Sequence, residues 1–171
     1  KSIPKSKIFL KTKELNNAYL KEKVMNKFKE NGVNSNSIIL EKGDSRIKLL
    51  DSYNKVDIAL DPFPYSGGVT SFEAIWMGVP VLTKKGFKFV SHTTESINHN
   101  SGMSDWIAND KNNYINKAIM FSKSLKNLSE IRKNLRKKAL ASPSFNSNLF
   151  AEQFGNAVWK IWKKCNSKNS K

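Results

Sequence analysis

Val56-Asp57-Ile58-Ala59-Leu60-Asp61-Pro62-Phe63-Pro64-Tyr65-Ser66-Gly67-Gly68-Val69-Thr70-Ser71-Phe72-Glu73-Ala74-Ile75-Trp76-Met77-Gly78-Val79-Pro80-Val81-Leu82-Thr83 is the stretch on which the fold turns. Val56 to Leu60 is nearly all apolar, as a strand covered on both faces must be. Pro62, Pro64, Gly67 and Gly68 then break regular structure. A helical spacing runs from Thr70 to Met77, and Gly78 with Pro80 turns the chain into a further strand, Val79 to Thr83. Strand, crossover helix and strand in so short a space describe a parallel pair.

The same alternation extends in both directions. Upstream, the pattern predicts a strand at Ile8 to Lys11, a helix from Asn16 to Glu30 stopped by Asn31-Gly32, and a strand at Ser37 to Leu40. A turn at Lys42-Gly43-Asp44 leads into a helix ending near Tyr53. Downstream come a helix near Ser91 to Asn98, a short piece at Asp105-Trp106-Ile107, and helices at Asn112 to Ser122, Leu125 to Leu140 and Leu149 to Trp162. The last places Phe150, Phe154, Val158, Ile161 and Trp162 near one face. This is an α/β chain: a Rossmann-like parallel sheet with crossover helices.

At 171 residues with 39% hydrophobic content, the chain suffices for one packed domain. Residues 1–162 carry the regular pattern and 163–171 read as a polar basic tail. Apolar runs are too short for a membrane span or a signal peptide, which points to a cytoplasmic protein. The single cysteine, Cys165, supports neither an internal disulfide nor a cysteine zinc site, and His92 and His99 gather no metal-ligand set. The chain begins at Lys1 without methionine and enters a strand almost at once, as expected of a piece of something longer.

The net charge of +16 raises polyanion binding as a second class of function, a basic nucleic-acid-binding module. Only Arg46, Arg132 and Arg136 are arginine, however, and bidentate reading of phosphate and guanine edges draws on arginine. The balance favours a solvated, lysine-rich surface. Lys84-Lys85 and the run from Arg132-Lys133 to Lys137-Lys138 read as solvated faces, Trp106 as core, and Trp159 and Trp162 as anchors of the last helix.

Open parallel sheets bind ligands outside the carboxyl ends of their strands, and the Asp61 to Val69 loop leaves a strand at such an end. Gly67 and Gly68 let the backbone approach a bulky anion. Val69, Thr70 and Ser71 follow as a helix start whose unpaired amides and positive dipole favour phosphate, with two hydroxyls as further donors. The loop matches neither G-x-x-x-x-G-K-[ST] nor G-x-G-x-x-G, so by itself it is equally a plain strand-to-helix connection. Glu73 also has two readings. Thr70-Ser71-Phe72-Glu73 fits a capping box, and a carboxylate at this place can equally accept from ribose hydroxyls.

The run from Val56 to Thr83, continued by Ser91, Ser96, Asp105-Trp106-Ile107-Ala108, Tyr114, Ala118, Ser142-Pro143 and Trp162, resembles the C-terminal catalytic region of O-linked N-acetylglucosamine transferases, glycosyltransferase family 41. The resemblance implies the C-terminal half of a GT-B enzyme, in which two Rossmann-like domains face across a cleft. It implies a UDP-sugar donor held by Arg46, Gly67, Gly68, Val69, Thr70, Ser71 and Glu73, without metal or other cofactor. Glu73 takes the ribose, Arg46 falls where a lysine contacts the nucleotide, and the Lys42 to Asp44 turn lines the uracil. Animal members have histidines where this chain has Gly68 and Leu49.

The implied reaction transfers a sugar, N-acetylglucosamine, to protein Ser or Thr, with an N-linked glucosylating branch as an alternative. A protein acceptor, an N-terminal catalytic domain bearing the base, and upstream tetratricopeptide repeats are the implied partners. The 171 residues alone are then expected to bind nucleotide weakly and not to turn over, and the closing helix to leave Phe154, Val158 and Trp162 exposed.

Overall fold

The computed structural model describes residues 2–168. Its elements are β1 (Ile8–Thr12), α1 (Ala18–Glu30), β2 (Ile38–Lys42), α2 (Arg46–Ser52), β3 (Ala59–Leu60), α3 (Val69–Trp76), β4 (Val81–Lys84), α4 (Thr93–Asn100), β5 (Ile107–Ala108), α5 (Lys111–Ser122), α6 (Leu125–Leu140) and α7 (Ser147–Lys168). Every strand pair is parallel. Ile8 pairs with Ile38, Ala59 with Val81, and Thr83 with Ile107.

The strands form a two-stranded sheet, β1-β2, and a three-stranded sheet, β3-β4-β5, rather than one continuous ladder. The sequence predicts a strand from Val56, but only Ala59 and Leu60 pair. A reason lies in Arg132 of α6: its guanidinium donates to the Val56 carbonyl at 2.6 Å and the Tyr53 carbonyl at 2.8 Å, taking up backbone acceptors at the entry to β3. Arg132 is therefore a structural residue and not part of a solvated basic face. Arg136 likewise lies 4.5 Å over the Trp76 ring, and Lys138 donates to the Gly102 carbonyl at 2.8 Å. Strand β5 appears in the sequence only as a short piece, since two residues carry no periodicity.

Helix starts follow side-chain caps. Asn17, Asp110 and Ser124 accept from the amides of Leu20, Asn113 and Asn127. The stop of α1 falls at the expected place, where Gly32 takes a φ of 73° and the Val33 amide returns to the Phe28 carbonyl at 3.0 Å. Helix α4 begins later than the spacing suggests because Phe89 to Ser91 form a 3-10 turn, closed by the Ser91 hydroxyl donating to the Lys88 carbonyl at 2.6 Å.

The main core lies around β4, where Ile75 and Leu82 are fully buried with Ile97, Trp106, Leu128 and Leu135. Trp106 belongs to this core, stacked on Phe121 at 3.9 Å between ring centroids. A smaller core gathers Leu15, Ile38 and Leu40 under α1. Helix α7 belongs to neither. It runs past Trp162 to Lys168, into the stretch expected as a polar tail, and residues 169–171 lie outside the described residues. Phe154, Val158 and Trp162 are exposed, as expected of a closing helix. Trp159 and Trp162 do not anchor it on this chain; they stack on each other at 4.8 Å. Among the described residues, no helix is long and apolar enough to cross a membrane.

Two tyrosines join helices to the carboxyl ends of the strands. The Tyr114 hydroxyl of α5 donates to the Asp61 carbonyl at 3.4 Å, and the Tyr53 hydroxyl, just after α2, donates to the Thr70 carbonyl of α3 at 3.2 Å. Burial, then the neighbouring carboxylates Asp61 and Glu73, push both phenols up from 10.0 to about 12.

Two outcomes are expected. Gly78 has a φ of 79°, and a Cβ there would meet the Arg132 carbonyl oxygen at 2.7 Å. Gly78→Ala should therefore lower the unfolding free energy by at least about 1–3 kcal/mol in a denaturant titration. The raised phenol values also set a pH window. Below pH 10.0 both folded and unfolded states keep these protons; between 10.0 and about 12 only the unfolded state loses them, so stability falls as pH rises. The melting temperature should drop across that window, and Tyr53→Phe with Tyr114→Phe should flatten the drop.

Candidate functional site

Asp61 directly follows β3 and is buried, so its carboxylate must find donors. One oxygen accepts from the Gly67 amide and the other from the Thr83 hydroxyl of β4, each at 2.7 Å. The loop that leaves β3 is thereby folded back onto its own starting residue and tied to the adjacent strand. The Phe63–Pro64 peptide inside it is cis. Gly67 has no alternative here: a Cβ would lie 2.5 Å from the Ser71 hydroxyl and 3.0 Å from that of Thr70.

A second set of bonds ties the loop to α4. The Ser66 amide and hydroxyl both donate to the Val90 carbonyl, at 3.1 and 2.9 Å. The Thr94 hydroxyl donates to the Gly67 carbonyl at 2.9 Å, which leaves its oxygen to accept from Ser71 at 2.9 Å. Ser66, Ser71, Thr83 and Thr94 are all buried. Of the residues singled out in the sequence, Gly67 and Ser71 thus serve the scaffold: the Gly67 amide and the Ser71 hydroxyl are already engaged.

What the scaffold presents is the open end of α3. Gly68 is the residue before the helix, without a side-chain cap, and the amides of Ser71 and Phe72 both return to its carbonyl at 3.1 Å. Among the described residues, the amides of Gly68, Val69 and Thr70 have no acceptor. Val69 and Thr70 face solvent. Gly68 has room beside it, since a Cβ would meet only the Thr93 methyl at 3.9 Å.

The capping box does not form. The helix begins before Thr70, and the Glu73 carboxylate instead accepts from the Arg46 guanidinium across the gap from α2. Glu73 is 7% exposed and Arg46 63%, so the acid is fixed while most of its partner lies in solvent. Arg46 and Tyr53 are seven residues apart, two turns along the α2 segment, and both reach α3. The predicted nucleotide residues thus come together where the chain leaves β2 and β3. Leu49 is half-buried on the same helix.

His92 pairs with Glu95 at 2.6 Å, and His99 with Ser104 at 3.0 Å. Among the described residues, no group of His, Cys, Asp or Glu gathers that would hold a metal ion. Sequence reasoning passed over Asp61, Thr83, Thr94 and Tyr53. Asp61 carried a readable signal, a carboxylate closing an apolar strand before a glycine pair. Thr83 and Thr94 carried none, because their roles depend on partners some twenty residues away.

Comparison with known proteins bears on the family and the fold. The profile of glycosyl transferase family 41 matches residues 1–154. A Hordeum vulgare protein described as a probable UDP-N-acetylglucosamine-peptide N-acetylglucosaminyltransferase SPINDLY is 26% identical over 162 residues, 94% of this chain. The Arabidopsis thaliana protein of the same description is 30% identical over 115 residues, 67% of the chain. The chain spans only 17% and 13% of the lengths of these two relatives. Among solved structures, a point mutant of Thermobaculum terrenum O-GlcNAc transferase superposes with a TM-score of 0.88 at 28% identity, covering 95% of this chain and 31% of that one. The α/β architecture is that expected of the C-terminal half of a GT-B enzyme. With the family profile covering 154 of 171 residues, the chain belongs to glycosyl transferase family 41.

Proposed function

We propose that this chain is the donor-binding part of a UDP-sugar-dependent protein glycosyltransferase, which passes N-acetylglucosamine from UDP to Ser or Thr of a protein acceptor in the cytoplasm. The observation that carries the reading is the open start of α3, with three unpaired amides at Gly68 to Thr70, one turn from the buried Glu73 carboxylate. That spacing suits a nucleoside diphosphate: phosphate oxygens at the amides, ribose hydroxyls at the acid. The descriptions of the relatives, which name UDP-N-acetylglucosamine and peptide, suggest the sugar and the acceptor.

In such a transfer the bond from the anomeric carbon to the diphosphate breaks and negative charge collects on the departing oxygen. The Gly68, Val69 and Thr70 amides, held in place by the Asp61 and Thr94 bonds, meet that charge without reorganising. Arg46 is close enough to Glu73 to pair with it and exposed enough to turn toward a phosphate. This reading assigns charge neutralisation to amides and a guanidinium, without a metal. It places the acceptor residues and the proton-accepting base on a partner domain preceding this region.

Isothermal titration of UDP into the intact protein tests the assignment. Glu73→Ala should weaken UDP by about tenfold or more, since it removes a charged acceptor. Gly68→Trp should abolish binding by filling the space in front of the amides. If both variants bind UDP as the parent does, the donor site lies elsewhere. Gly67→Ala should weaken UDP as well, through displacement of Ser71 and Thr70, with a parallel fall in melting temperature.

A further inference from the structure

The chain between β4 and α4 carries a surface that the donor-site reading leaves unused. After Lys84 it runs Lys85-Gly86-Phe87-Lys88-Phe89-Val90 into the 3-10 turn before α4. Phe87 and Phe89 are 106% and 91% exposed, and Tyr65, in the loop that leaves β3, is 73% exposed. The two loops form one rim, since the Ser66 amide and hydroxyl both hold the Val90 carbonyl and the Lys84 ammonium lies 4.8 Å over the Phe63 ring. Their backbone is fixed. The Lys85 amide donates to the Ala108 carbonyl at 3.0 Å, and the Ser91 hydroxyl accepts from the Lys88 amide at 3.1 Å while donating to its carbonyl at 2.6 Å. Exposed rings on a preformed loop mark a contact surface, and one that loses little freedom when a partner arrives.

Charge selects the partner. Lys84 is half-buried, Lys85 and Lys88 are exposed, and among the described residues none of the three pairs with a carboxylate. From Pro62 to His92 the sole acid is Glu73, which is buried and held by Arg46. A second copy of this chain, with its net charge of +16, would meet the rim with like charge. An acidic, partly apolar segment satisfies both features at once, carboxylates at the ammoniums and apolar groups on the rings. Ser66, which holds Val90, stands just before Gly67 and Gly68, so the rim is continuous with the open start of α3.

Resting on the donor-site reading above, we propose that this rim seats the acceptor polypeptide and favours a Ser or Thr flanked by acidic residues, with Lys84, Lys85 and Lys88 reading the acids and Phe87 and Phe89 giving the apolar contact.

The test uses two fluorescein-labelled peptides, a Ser-Thr pair flanked by glutamates or by lysines, and fluorescence anisotropy on the intact protein at saturating UDP. The glutamate peptide should bind about tenfold more tightly or better, with the gap narrowing as salt rises. Lys84→Gln, Lys85→Gln and Lys88→Gln together should shrink the gap to about twofold. Phe87→Ser with Phe89→Ser should weaken the glutamate peptide by about tenfold. Neither set should change UDP affinity in isothermal titration. Lys21→Gln, Lys23→Gln and Lys27→Gln, on the exposed side of α1, remove the same charge and should leave the preference intact. Equal binding of the two peptides by wild type, binding of neither, or the same loss of preference in the α1 variant overturns the proposal. A fall in UDP affinity in either rim variant overturns it too, by placing the rim in the donor site. Retention on phosphatidylserine vesicles that is lost in the phenylalanine variant, without any peptide preference, assigns the rim to a lipid surface instead. If the triple rim variant does not fold, Lys85→Gln with Lys88→Gln, both exposed, decides in the same way. A wild type that prefers the glutamate peptide but does not bind UDP sinks the donor-site reading, while the rim stands as a polypeptide-binding surface.

Discussion

Everything around the candidate site depends on one buried carboxylate. Asp61 accepts from the Gly67 amide and from the Thr83 hydroxyl, and with these two bonds it converts a proline- and glycine-rich loop into a fixed platform. Remove it and two donors lose their partner, each at a cost of about 1–3 kcal/mol. Thr94 completes the arrangement from α4 through Gly67 and Ser71. The glycine pair then looks less like flexibility than like geometry. Gly67 is a glycine because nothing larger fits against Ser71, while Gly68 borders open space.

That platform explains why free amides persist at the α3 start. A helix ordinarily recruits a side-chain oxygen to its first turn. Here the nearest hydroxyls are committed elsewhere: Ser66 to Val90, Ser71 to Thr94. The positive end of the helix is therefore left without a side-chain cap. The acid one turn on is not consumed by a cap either, since Arg46 takes it from across the gap. In the proposed donor site, phosphate and ribose recognition are adjacent because Arg46 at the start of α2 reaches Glu73 on α3.

Helix α7 contributes to neither core cluster. Its Phe150, Phe154, Trp159 and Trp162 are exposed, with Phe150 stacked on Phe154 and Trp159 on Trp162. The chain spans under a fifth of the curated relatives reported above. A helix of this kind is legible as amphipathic from spacing alone, but which surface receives it is decided by residues outside it.

From the sequence alone came the α/β alternation, the approximate bounds of most helices, the burial of Trp106 and the candidate loop and helix start at Gly68 to Thr70. These follow from local rules, apolar period and breakers, whereas Arg46 is joined to Glu73 only by the family resemblance, and the structure sets the two side by side. Tertiary structure alone decided that Glu73 pairs with Arg46 rather than capping its helix, that Gly67 and Ser71 turn inward, that Arg132 braces the entry to β3, and that Tyr53 reaches α3. Each of those depends on a contact between residues far apart in the chain. No periodicity encodes such a contact, because the partner is chosen by packing and not by spacing.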